Sequence, residues 1–116
     1  MEFICYPKCT TCQKAKKWLD DKGITYDLRD IKENNPSYEE LRTWYSDSGQ
    51  PLKRFFNTSG LLYKSMELKD KLPQMSDEEQ LRLLATDGML VKRPLLIKNG
   101  KVLVGFKEKE YEELFK

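Results

Sequence analysis

Histidine is absent from this chain of 116 residues. That gap removes serine–histidine and cysteine–histidine catalysis, histidine general bases and every zinc site with an imidazole ligand. Long apolar runs are missing too. Stretches such as Leu95-Leu96-Ile97 fall far short of the roughly 20 residues that cross a bilayer, and Glu2, Lys8 and Lys14 interrupt any signal-peptide core. Net charge is small, with 21 Lys and Arg against 19 Asp and Glu, or +2. The basic group Lys14, Lys16 and Lys17 is followed at once by Asp20 and Asp21, the pattern of a solvated helix face. No direct nucleic-acid contact and no membrane association are therefore expected. Neither an internal repeat, a low-complexity segment nor a linker interrupts the chain. Cysteine is scarce as well, at three residues. A chain of this length hides roughly 65% of its unfolded surface and needs no disulfide staple. The expected compartment is the cytoplasm, where structural disulfides are rare. Each cysteine should then be a buried hydrophobe, a metal ligand or a redox group.

What is present reads as one α/β domain over residues 1–116, with 39% hydrophobic and 34% charged residues. Phe3-Ile4-Cys5-Tyr6, ended by Pro7, predicts a first strand. From Cys9 the period becomes helical, with Cys12, Ala15, Trp18 and Leu19 on one face, until Gly23 stops the helix after Lys22. Thr25 to Arg29 alternates and predicts a second strand, completing a parallel βαβ unit. Ser37 with Glu40, and Ser76 with Glu79, are capping boxes that open two further helices. Between them, short helices are expected near Leu52 to Phe56 and Leu61 to Glu67. Leu95-Leu96-Ile97 and Val102-Leu103-Val104 flank Asn99-Gly100, a type I′ hairpin signal. A charged helix carrying Tyr111, Leu114 and Phe115 closes the chain. The sum is βαβ, a helical insertion over about residues 36–90, then ββα: a mixed sheet with helices on both faces.

Cys9 falls where the first strand hands over to a helix, and Cys12 lies one turn inside, a spacing that suits a disulfide. Cys9 meets the free N–H groups and positive dipole end of the helix, which favour a thiolate. Lys8 adds a neighbouring positive charge. Cys12 shares the apolar face of Ala15 and Leu19 and should be sheltered. An exposed attacking thiolate beside a sheltered resolving thiol is what disulfide exchange requires. Two other readings use the spacing C-x3-C-x2-C formed with Cys5. An iron–sulfur cluster of that spacing belongs to larger enzymes, and zinc would need a fourth ligand without histidine. Cys5, inside a predicted strand, reads instead as a small buried hydrophobe. A Cys9–Cys12 disulfide that leaves Cys5 reduced is expected.

Tyr6-Pro7-Lys8-Cys9-Thr10-Thr11-Cys12-Gln13-Lys14-Ala15, the long insertion and Val91-Lys92-Arg93-Pro94-Leu95-Leu96-Ile97 together resemble the arsenate-reductase-like (ArsC) family. That group includes the Spx and MgsR transcriptional regulators. The resemblance covers essentially the whole chain. It implies a thioredoxin-like (glutaredoxin-like) fold with a helical insertion, and Pro94 as a cis-proline facing the active-site cysteine. Arsenate reductases of the family ring a nucleophilic cysteine with three arginines. Cys9 matches that cysteine and Arg93 matches one arginine, whereas the other two positions fall near Asn57 and Gly105. Neither replaces a charged guanidinium fork, and Arg54 is near in sequence without occupying a matched position. The regulators carry C-x-x-C as a redox switch and bind the C-terminal domain of the RNA polymerase α subunit, with Gly49 near the polymerase-contacting position. Read without the resemblance, Arg93 would pair with a surface carboxylate and Asn57-Thr58-Ser59-Gly60 would be an ordinary turn.

The first functional reading is a thiol–disulfide oxidoreductase with Cys9 as nucleophile, Cys12 as resolving thiol and Arg93 stabilising an anion near Cys9. Thr10, Asn57 and Pro94 are the expected substrate-binding positions. No bound cofactor or metal is expected. An external thiol, either glutaredoxin, thioredoxin or a low-molecular-weight thiol, would serve as reductant to a monomer. The alternative is a redox-sensing regulator that binds the polymerase α subunit, and a true arsenate reductase comes third.

Overall fold

The computed structural model describes all 116 residues. Strand β1 (Glu2–Cys5) leads into helix α1 (Thr10–Asp21), and strand β2 (Asp27–Asp30) follows. Helix α2 (Tyr38–Ser48), a 3₁₀ turn (Leu52–Phe55), the short helices α3 (Leu61–Ser65) and α4 (Leu68–Lys71), and α5 (Asp77–Leu84) make up the insertion. Two further 3₁₀ turns, Leu72–Gln74 and Gly88–Leu90, flank α5. Strands β3 (Leu95–Lys98) and β4 (Lys101–Val104) form the hairpin, and α6 (Glu108–Leu114) ends the fold.

The sheet runs β2-β1-β3-β4. β1 is parallel to β2, with Phe3 opposite Leu28, and antiparallel to β3, with Ile4 opposite Leu95. This is the mixed sheet expected from the sequence. Successive strand side chains point to opposite faces, so the central strand serves two cores. Ile4, Leu95, Val102 and Val104 face the insertion, where Leu41, Trp44, Phe55 and Leu84 bury against them. Phe3, Cys5 and Leu96 face the other way, against Cys12, Ala15 and Leu19 of α1 and Tyr111 of α6.

The helix signals act as read. Ser37 and Ser76 each accept a hydrogen bond from the backbone N–H of Glu40 and Glu79, and those glutamates accept from the serine N–H in return. At the end of α1, Gly23 takes φ +70°. Its N–H donates to the Asp20 carbonyl, and the Ile24 N–H donates to that of Leu19, both at 3.0 Å. That pair of bonds is a Schellman stop. Asn99 and Gly100, at φ +45° and +80°, make the hairpin turn.

Two boundaries differ from the sequence reading. Strand β2 starts at Asp27 rather than Thr25, because Tyr26 turns its ring edge onto Phe3, 5.4 Å between centroids, and its hydroxyl donates to Asp20 at 2.7 Å. The helix expected over Leu61 to Glu67 breaks, since Glu67 takes φ +54° and redirects the chain so that Leu68 enters the core.

The insertion is fastened to the sheet by Arg29. Its guanidinium grips Glu40 of α2 at 2.6 and 2.9 Å and reaches Glu2 of β1 at 3.3 Å. Arg29 first, then the Ser37 backbone N–H, hold the Glu40 carboxyl at about 2, against an ordinary 4.5. A depressed carboxyl stabilises the fold above its unfolded value and loses that contribution as pH falls through the folded one. Glu40 is over a third exposed, so solvent screening keeps the pair to about 1 kcal/mol. Urea denaturation should therefore show Glu40→Gln less stable than the parent at pH 7, with the gap closing between pH 4.5 and about 2. The insertion's far end depends on a close backbone approach: a Cβ at Gly88 would overlap the Ile31 carbonyl oxygen. Thermal denaturation should show Gly88→Ala destabilised by roughly 2 kcal/mol or more, because backbone rather than a flexible side chain must give way.

Candidate functional site

The thiols lie at the corner between β1 and α1. After Cys5 the chain turns, the Cys9 N–H donating to the Tyr6 carbonyl at 2.9 Å, and Cys9 becomes the N-cap residue of α1. All three cysteines are free thiols; Cys9 is partly exposed, while Cys5 and Cys12 are buried. The sheltered position expected for Cys12 is thus present, and its sulfur accepts a 3.4 Å hydrogen bond from the Tyr6 backbone N–H.

Protons are distributed unequally among these sulfurs. Partial burial works against charge on Cys9, but the Cys12 backbone N–H, the Cys12 thiol and the Arg93 guanidinium together draw its pKa below the ordinary thiol value. Cys9 forms no full capping hydrogen bond; the first-turn amide acts on it as a nearby dipole. Cys12 is pushed far upward, first by its hydrogen bond to Cys5, then by burial and by the negative charge of Cys9. Cys5 is drawn down, first because the Cys12 thiol donates to it. Of these two sulfurs, Cys9 ionises the more readily and Cys12 keeps its proton the more firmly.

Arg93 precedes a cis Arg93–Pro94 bond, the isomer that the sequence resemblance implies. Its guanidinium carbon lies 5.3 Å from the Tyr6 ring centroid, and one terminal nitrogen donates to the Met89 carbonyl at 3.5 Å. Its Nε is buried without a partner, and Arg93 makes no ion pair with a carboxylate. The charge is consequently left for Cys9. Lys8, read from sequence as the neighbouring cation, is exposed and is not among the groups that shift Cys9.

The remaining expected residues lie as follows. Thr10 is exposed as the first residue of α1. Pro94 is buried, and its carbonyl accepts from the Gly105 N–H at 2.8 Å. Asn57 is tied into its own turn: its N–H donates to Leu90 at 2.8 Å, and its side-chain oxygen accepts from the Ser59 hydroxyl at 3.3 Å. It makes no hydrogen bond to Cys9 or Arg93. Arg54 donates to the Val104 carbonyl at 3.3 Å. With Lys53 and Lys92 it lines a pocket of about 320 Å3 that neither Cys9 nor Arg93 lines. No group of three or more histidine, cysteine or carboxylate residues is arranged to hold a metal ion.

Sequence reasoning missed two participants. Tyr6 supplies the amide that fixes Cys12, and its ring supports Arg93; only its place beside Pro7 in the motif pointed to it. The Met89 carbonyl, which anchors Arg93, had no sequence signal at all.

Comparison with known proteins agrees with this geometry. The YusI protein of Bacillus subtilis is 55% identical over 113 residues, 97% of this chain and 96% of that protein. The regulatory protein MgsR of the same organism is 30% identical over 116 residues, the whole of this chain and 90% of that one. A crystal structure from Bacteroides fragilis, described as related to the ArsC family, superposes with a TM-score of 0.94 at 56% identity, covering 97% of this chain and 94% of its own. No helix is long and apolar enough to cross a membrane. Fold and thiol geometry together support thiol-based redox chemistry. With residues 5–114 also matching the family as a whole, the chain belongs to the ArsC family.

Proposed function

We propose that this chain is a thiol–disulfide oxidoreductase related to arsenate reductase, acting through Cys9 and Cys12. The observation that carries the reading is the opposed setting of the two thiols: Cys9 partly exposed at the start of α1 with its pKa drawn down, Cys12 buried one turn on with its pKa pushed up. The Cys9 thiolate attacks one sulfur of a disulfide substrate and expels the other as a thiolate. Cys12, once its proton has passed to water, attacks Cys9 Sγ; the Cys9–Cys12 bond forms and the second substrate thiolate leaves. Substrate gains two electrons and the cysteine pair loses two, which an external thiol restores. The first step makes the second easier. The charge on Cys9 is one cause of the high Cys12 value, and it vanishes once Cys9 is covalently bound.

On this reading residues 1–116 form a single domain and a monomer working in the cytoplasm. It needs no bound cofactor and is recycled by glutaredoxin, thioredoxin or a small thiol. Thr10, Asn57 and Pro94 would border the substrate. A second reading, a redox-sensing regulator that docks on the polymerase α C-terminal domain, draws support from the whole-length likeness to MgsR. Turnover separates the two.

Alkylation rate against pH should place Cys9 below the ordinary thiol midpoint of about 8.5, so that at pH 7 it reacts well before Cys12. Arg93→Ala should move that midpoint upward and lower disulfide turnover on the order of tenfold, because the guanidinium charge that favours the Cys9 thiolate is lost. Equal, ordinary reactivity at both cysteines would sink the assignment, and redox-dependent capture of polymerase without turnover would transfer it to the regulator.

Arsenate should be a poor substrate. Only Arg93 stands at Cys9, while Lys53, Arg54 and Lys92 line a different pocket. Each missing oxyanion donor lowers such a rate on the order of 10²-fold. A coupled assay comparing arsenate with a mixed disulfide checks this; robust arsenate turnover abolished by Arg54→Ala would show that the second pocket does feed Cys9.

A further inference from the structure

Cys5 has no part in that mechanism, yet its surroundings are unlike those of an inert core thiol. It is the last residue of β1 and faces the same core as Cys12. The hydrogen bond from the Tyr6 N–H, one residue beyond Cys5, holds the Cys12 sulfur at the end of that strand. A pocket of about 150 Å3 is lined by both Cys5 and Cys12, with Gln13 and the exposed Leu28 on its border, so water reaches the pair. Behind them Tyr111 is fully buried, packed edge-on against Phe106 and Trp18, and its hydroxyl has no partner.

Cys12 occupies the middle of the three sulfurs. It packs in one buried cluster with Cys5, and Cys9, at the start of the same helix, packs against that cluster. Cys5 and Cys9 each ionise more readily for having Cys12 beside them. Tyr111 packs in the same buried cluster, and negative charge on Cys12 or Cys5 raises its pKa further.

We propose that Cys5 and Cys12 form a second redox pair, to which an oxidised Cys9–Cys12 pair passes its disulfide by internal exchange. This rests on the Cys9–Cys12 reading for its first step, and it departs from the sequence expectation that Cys5 stays reduced. Cys5 gives its proton to water in the pocket, and its sulfur attacks Cys12 Sγ. The Cys5–Cys12 bond forms as the Cys9–Cys12 bond breaks, and the electron pair of the broken bond leaves on Cys9. One disulfide exists before and after, so no oxidant or reductant is consumed. The direction follows from where charge is left: Arg93 receives the departing Cys9 thiolate at a partly exposed site, whereas a thiolate on Cys5 would be buried opposite Asp30, whose charge opposes it more than Lys16 supports it. The outcome is a protein that holds its oxidation inside while presenting a free nucleophile at the surface.

The test is a time course after one equivalent of diamide, with alkylation and peptide mass mapping. Trypsin cleavage after Lys8 separates Cys5 from the peptide holding Cys9 and Cys12, so a Cys5–Cys12 bond appears as a crosslink with Cys9 alkylated. In the parent protein, Cys9–Cys12 should form first, then decline as the crosslink rises to more than half of the chains. Cys9→Ser should form Cys5–Cys12 directly, and Cys5→Ala should stop at Cys9–Cys12, each with parent-like circular dichroism. If Cys5→Ala forms its bond while neither the parent nor Cys9→Ser yields the crosslink, the relay is overturned and the oxidoreductase reading survives. If Cys9→Ser forms Cys5–Cys12 but Cys5→Ala forms no Cys9–Cys12 bond, the first step fails, and both readings fail with it.

Discussion

Strand β1 is confined on every side, and the site follows from that confinement. It is hydrogen-bonded to β2 on one edge and β3 on the other, while both faces are buried, Ile4 toward the insertion and Phe3 and Cys5 toward α1 and α6. A strand so placed can neither slip nor twist without moving its whole hydrophobic set to the wrong face. Its end therefore fixes where α1 begins, and hence where Cys9 and Cys12 stand above Cys5. The antiparallel register does the rest. With Ile4 opposite Leu95, continuing the pairing outward brings Pro94 level with Cys5 and Arg93 level with Tyr6. The contact of Arg93 with the Tyr6 ring is that register carried two residues past its last pair.

The same helix start treats its two cysteines oppositely. At the N-cap, Cys9 keeps some contact with water and faces an amide and a guanidinium, so charge is favoured despite partial burial. One turn on, Cys12 is enclosed by apolar neighbours, and the ionisable groups that raise its pKa, Cys5 and Cys9, are thiols that can themselves turn negative. Burial disfavours a charged sulfur, and like charge disfavours it again. A three-residue spacing is enough to give the two thiols opposite tendencies to ionise because the corner changes environment within a single turn.

Much of this was legible in the residues. The capping boxes, the Gly23 stop, the Asn99-Gly100 turn and the mixed sheet all depend on contacts between near neighbours in sequence, which local patterns encode. The placement of Cys12 on the buried face of α1 came from helical period alone. What could not be read depends on distant segments meeting. The start of β2 was misplaced because Tyr26 is claimed by Phe3 and Asp20, which no local alternation reveals. The break at Glu67 serves the burial of Leu68. Lys8 looked like the cation beside Cys9 because it is adjacent in sequence, whereas the one that faces the sulfur comes from 84 residues away, 93 − 9 in the chain. Cys5, read as a small buried hydrophobe, is one, but a strand position says nothing about its sharing a cluster with Cys12.

How the cations are shared out bears on the chemistry more than their number does. Arsenate brings a concentrated negative charge that must be held by several fixed donors as further charge builds during attack. A disulfide brings none: the attacking thiolate's charge is handed to the leaving sulfur, and the total is unchanged. A single arginine at Cys9 suits the second task, because it need only stabilise the thiolate before attack and receive it again afterwards. Additional positive charge there would lower the thiolate's nucleophilicity along with its pKa. Arg54, by contrast, spends a donor on the Val104 carbonyl at the sheet edge. A lone guanidinium, anchored through the Met89 carbonyl and unclaimed by any carboxylate, thus fits a site that moves electrons between sulfurs.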